Sequence, residues 1–140
     1  MSNPHIEYIM HGETALAVLV RSSFSAETTV FLVPEEFPQQ LGYIRGPKEH
    51  VIAPHEHLPV TRTIAGTQET LILRRGKMQV DFYAPGTEIL VDKRVLEPGD
   101  VVLLASGGHG MTMLEDCEIL EIKQGPYARD LDKKRFKPGR

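Results

Sequence analysis

Short runs rich in Val, Ile, Leu, Tyr and Thr follow one another along the chain, cut apart by Gly and Pro: ALAVLV, TTVFLV, LGYI, VIAPHEH, ETLIL, KMQVDFY, EILVDKRVL, DVVLLA, GMTML and EILEIK. Such residues suit the pleated, half-buried surface of a strand, and none of the runs keeps helical spacing apart from a turn around Pro34 to Gln40. The pattern therefore predicts an all-β chain. Arg75-Gly76, Pro85-Gly86 and Pro98-Gly99 each stand between two strand-like runs. Pro fixes φ and Gly supplies the positive φ of a tight turn, so strands joined this way are expected to be antiparallel neighbours. Many short strands without long helices leave a sandwich, a jelly roll or a barrel.

A length of 140 residues with 41% apolar types suffices for one domain with a real core. A net charge of -3, with both signs spread along the chain, argues against a nucleic-acid or anionic-membrane surface. The apolar run Ala15 to Val20 is too short to span a bilayer or to serve as a signal core. Cys117 is the single cysteine, so no internal disulfide forms and a reducing, cytoplasmic setting is expected. Its neighbours Asp116 and Glu118 disfavour a thiolate nucleophile, which leaves it a packing role. The basic stretch 129–140, with Lys133, Lys134, Arg135, Lys137 and Arg140, reads as a solvated tail, with contact to a phosphate or a partner as the alternative.

Against this background PHEHLP stands out. In a strand, His55 and His57 project from one face with Cβ atoms roughly 6.5 to 7 Å apart, close enough for both imidazoles to reach one metal ion at about 2.1 Å. A His-x-His pair also arises by accident among six histidines. Glu69 shares its strand face with Leu71 and Leu73. A carboxylate there is costly to bury without a cationic partner, unless it is simply a solvent-facing strand start. His109 follows Gly107 and Gly108 and shares a face with Met111 and Met113. Alone it would be an ordinary wall residue.

Taken in order, His55-x-His57, Glu69 ahead of Gly76, Pro98-Gly99-Asp100 and then His109 resemble the two motifs of the cupin superfamily over roughly residues 40–125. The string HEH, R-x-I-x-G-T-Q-E, GGHG and IKQGPY is similar to a group of small bacterial cupins, some of which look linked to surface-sugar metabolism. The resemblance implies a single-domain jelly-roll barrel, with additional strands over 14–34. It also implies a divalent metal held by His55, His57, Glu69 and His109, and a homodimer. Eleven residues separate His57 from Glu69, so LPVTRTIAGTQ is expected to form a longer hairpin than the motif normally has.

Three imidazoles and a carboxylate suit Fe, Mn, Ni, Co or Zn, and an open coordination position allows isomerase-like, epimerase-like or dioxygenase-like chemistry. Candidate pocket residues are Arg62, Met111, Glu121, Lys123 and Tyr127. Glu121 and Lys123 matter only if their face of EILEIK looks inward. No nucleophile elbow, phosphate-binding loop or dinucleotide fingerprint competes. The expectation is a cytoplasmic metal-dependent enzyme for a small oxygenated substrate such as a sugar or organic acid. The alternative is a non-catalytic small-ligand or dimerisation module with the same pocket.

Overall fold

A computed structural model describes residues 3–138, and all regular structure among them is β. The elements are β1 (Ile6–His11), β2 (Thr14–Val20), β3 (Val30–Phe31), β4 (Gly42–Tyr43), β5 (Glu69–Arg75), β6 (Met78–Tyr83), β7 (Leu90–Leu96), β8 (Val101–Leu104), β9 (Gly108–Met113) and β10 (Glu118–Lys123). Every pairing is antiparallel. A five-stranded sheet runs β1-β2-β8-β5-β10 and a three-stranded sheet runs β7-β6-β9, with β3 and β4 forming a small ribbon.

Strand alternation builds the core between the two larger sheets. Leu71 and Leu73 of β5 and Val102 and Leu104 of β8 meet Met78, Val80 and Phe82 of β6, all nearly inaccessible to water. A second cluster lies on the outer side of the five-stranded sheet, where Val18 and Leu103 are covered by Val33, Phe37 and Leu41. The chain between β3 and β4 thus acts as a lid on that sheet. The first strand, IEYIMH, went unforeseen because Pro4 and Gly12 break up its surroundings. Gly12, at φ 60°, is in fact the turn that folds β1 back on β2.

The three expected glycine turns are present, with φ of 90° at Gly76, 71° at Gly86 and 91° at Gly99. Only the Pro85-Gly86 turn joins neighbours, however, pairing β6 with β7. The Arg75-Gly76 and Pro98-Gly99 turns carry the chain from one sheet to the other, which corrects the expectation that all three close hairpins. A β-carbon on Gly76 would lie 2.1 Å from the Asp116 carbonyl oxygen. Gly76→Ala is therefore expected to cost about 2 kcal/mol or more, read as a lowered urea midpoint.

The largest departure concerns residues 44–67. VIAPHEH was expected to be a strand and LPVTRTIAGTQ a hairpin, yet no residue from 44 to 68 belongs to a strand. All of 44–67 are exposed, Val51, Leu58 and Val60 by 76%, 79% and 62%. The segment is an arm whose hydrogen bonds near the histidines are local: His50 N to Pro47 O at 3.0 Å, and His55 Nδ1 with Ala53 O at 2.9 Å. Without it the two sheets form an open sandwich rather than a closed barrel. β9 and β10 are left as unpaired edges.

Candidate functional site

Glu69 begins β5 on its inner face with Leu71 and Leu73, the first of the two readings its spacing left open, and it lies opposite Leu104 on β8 and Lys123 on β10. His109 sits on β9 opposite Phe82, whose side chain belongs to the core, and so also faces inward. The two residues meet across the sandwich, His109 Nε2 lying 3.2 Å from Glu69 Oε2. The Glu69 side chain is 11% exposed and the His109 side chain 30%. Gly107 and Gly108 allow this approach: Gly107 has φ 73°, and a β-carbon there would sit 2.3 Å from the Tyr83 carbonyl oxygen.

The hydrogen bond from His109 holds the Glu69 carboxyl below the usual carboxylate range, helped by the positive charges of Lys123 and Lys133 and opposed by burial. A depressed folded-state pKa adds stability that is complete above the unfolded value, about 4.3, and is lost as pH falls through the folded value. The stability gap between wild type and Glu69→Gln should therefore be full at neutral pH and shrink on acidification. Urea titrations over an acid pH series measure it, and a gap that widened toward low pH would contradict the assignment.

The pair lies in a cavity of about 730 Å3 that follows the β9 edge. Five consecutive residues, Gly108 to Thr112, line it, so the cavity takes in both faces of that strand's free side. Met111, one of the candidate pocket residues, is among them. The chain end expected to be a solvated tail also contributes: Lys133, Lys134, Arg135 and Phe136 all line the cavity. Phe136 packs edge-on against Tyr83 with ring centroids 4.9 Å apart, Asp132 accepts a hydrogen bond from Thr67 at 3.1 Å, and Arg135 pairs with Asp130 at 2.8 Å. Arg140 lies outside the described residues. No short-range signal in the sequence marked Phe136 as an anchor, because its partner is some fifty residues away.

The other candidates scatter. Lys123 is within electrostatic reach of Glu69 and its Nζ lies 5.2 Å from the centre of the Tyr127 ring, which is 67% exposed and outside the cavity. Glu121 lies on the inward parity of β10, opposite Leu71, but is exposed at the open edge. Arg62 belongs to the arm and borders a separate shallow depression with Glu35, Glu36 and Phe37.

His55 and His57 stack edge-on, with ring centroids 5.3 Å apart, on the exposed arm. They do not join Glu69 and His109: among the described residues no three His, Cys, Asp or Glu side chains gather to hold a metal. A divalent ion of the expected kinds needs about four ligands, and one chain brings two together. The four-ligand set is thus not assembled among the described residues. No helix of the described residues is long and apolar enough to cross a membrane. No family model matches the chain, and no curated protein or solved structure matches it.

Proposed function

We propose that the cavity beside β9 binds a small, oxygen-rich anion such as an organic acid or an acidic sugar. The observation that carries this reading is the lining of the cavity, where the carboxylate–imidazole pair is joined by Lys133, Lys134 and Arg135, with Asp81 and Asp132 as further carboxylates. Cationic side chains attract and orient the anion, while Glu69 and His109 exchange hydrogen bonds with its hydroxyl or carbonyl oxygens. A carboxylate and an imidazole in contact also suit proton transfer to or from a carbon or oxygen of that molecule. Titration calorimetry with tartrate, glucuronate and uncharged glucose tests the reading. Binding of the two anions but not of glucose, lost in His109→Ala, is the expected result; no heat with either anion would overturn it.

A second reading is a cupin-type, metal-dependent enzyme for the same class of molecule, with isomerase-like or dioxygenase-like chemistry. It is favoured by the facing placement of Glu69 and His109, two of the four ligands implied by the cupin likeness. The jelly-roll fold belongs to this reading. In such a barrel a further strand lies beside β9 and another beside β10, and both are edge strands here, as are β1 and β7.

A further inference from the structure

The chain end is fastened to the sandwich by side chains. Its main-chain bonds among the described residues are local turns, Leu131 N donating to Ala128 O and Lys133 N to Asp130 O, both at 3.3 Å. The Arg135–Asp130 pair at 2.8 Å braces the same segment from within. Arg129 leads into it at φ 59°, the left-handed region that a residue with a β-carbon adopts at a cost and that reverses the chain. Two contacts tie this compact unit to the body. Thr67 Oγ1 donates to Asp132 Oδ2 at 3.1 Å, and the Phe136 ring stands edge-on to Tyr83.

The places of those two contacts decide what the segment crosses. Thr67 precedes Glu69 by two residues. Phe136 lies against Gly108, the residue before His109, so near that a β-carbon on Gly108 would sit 2.8 Å from its ring. β5 and β9 belong to different sheets, so residues 132–136 run from one sheet to the other where Glu69 and His109 meet. All five line the cavity. Lys133 adds its charge to the His109 hydrogen bond that holds the Glu69 carboxyl below the usual range.

We propose that residues 128–138 form a hinged strap that lifts from the two sheets to admit an anion to Glu69 and His109 and then shuts on it. With the strap down the Glu69 side chain is 11% exposed, so a molecule the size of glucuronate reaches its carboxylate after the strap lifts. One exposed hydrogen bond and one aromatic contact break and re-form far more often than the sandwich unfolds. Hinges are residues at element ends that absorb a change of φ and ψ. Gly125, two residues past the end of β10, is suited to this, since a β-carbon there would meet nothing within 4 Å. A bound anion gives Lys133 and Lys134 a partner and so favours the shut state. The hinged strap is a property of the chain itself; its service as a gate rests on the anion reading.

The chain has no tryptophan, so Phe136→Trp keeps an aromatic ring for Tyr83 and supplies a lone fluorescent reporter. Without ligand, acrylamide quenching of that indole is expected to rise at least twofold when Thr67→Val or Asp132→Ala is added. Combining the two should add nothing more, because both remove the same bond. Unchanged quenching in both variants would overturn the strap. In stopped flow with glucuronate or tartrate, the fluorescence change should level off with concentration at one limiting rate shared by both anions, the rate of lifting. Thr67→Val should raise that limit at least threefold. Rates that climb in proportion to concentration, or limits that differ between the anions, would overturn the gate. Calorimetry showing no heat with either anion would remove the anion reading instead, and the quenching measurement, which uses no ligand, still decides whether the strap opens.

Discussion

Replacing Asp100 by alanine is expected to lower stability by about 3 kcal/mol and Tm by about 10 °C. Asp100 is 1% exposed, and its carboxylate accepts from Ser22 N at 2.8 Å, Glu97 N at 2.8 Å and Arg21 Nη1 at 2.9 Å. Its main chain is used as well: Leu73 N donates to Asp100 O at 3.1 Å, while Gly99 N donates to Leu73 O at 2.7 Å. One residue therefore ties the Pro98-Gly99 turn to β2 and β5 and helps fix the β5–β8 register that faces Glu69 with Leu104. Alanine would strand two backbone donors and leave Arg21 with Glu7 and the Val95 carbonyl as its partners. Thermal melts of Asp100→Ala, Arg21→Ala and the double variant check this. The double variant should cost less than the sum, because the second substitution removes a group the first has already deprived of its partner.

The second large effect concerns the chain end. Phe136→Ala is expected to weaken binding of tartrate or glucuronate by about tenfold while changing global stability by under about 1 kcal/mol. Phe136 seats on Tyr83 and approaches Gly108, so close that a β-carbon on Gly108 would lie 2.8 Å from its ring. That contact holds Lys133, Lys134 and Arg135 against the cavity. Losing it releases three positive charges from the site but removes little from the core between the sheets, to which Phe136 does not belong. Calorimetry at two salt concentrations separates the effects: the wild-type affinity should fall with added salt more steeply than that of the variant. Equal affinities for both proteins would remove the tail from the site.

Much of the fold was legible because strands write a local code. The alternation in ETLILRRG and KMQVDFY told which side chains enter the core, and Glu69 appears on the inner face with Leu71 and Leu73 for that reason. The positive φ at Gly76, Gly86 and Gly99 was legible because only glycine adopts it without strain. What those turns connect was not legible, since a tight turn can join neighbours in one sheet or lead into the facing one. The same limit applies to VIAPHEH. Its residues are apt for a strand, but a strand needs an edge beside it, and the arm pairs with none of the sheet edges.

The sequence by itself determined the all-β character, the turn positions, and which residues share a strand face with Glu69 and with His109, all properties set by neighbours in the chain. Only the tertiary structure decided that these two side chains meet at 3.2 Å, that the basic tail folds over them, and that His55 and His57 stand apart on an exposed arm. Those outcomes depend on which sheet edges are filled and on contacts between residues far apart in the chain, and no local pattern records either.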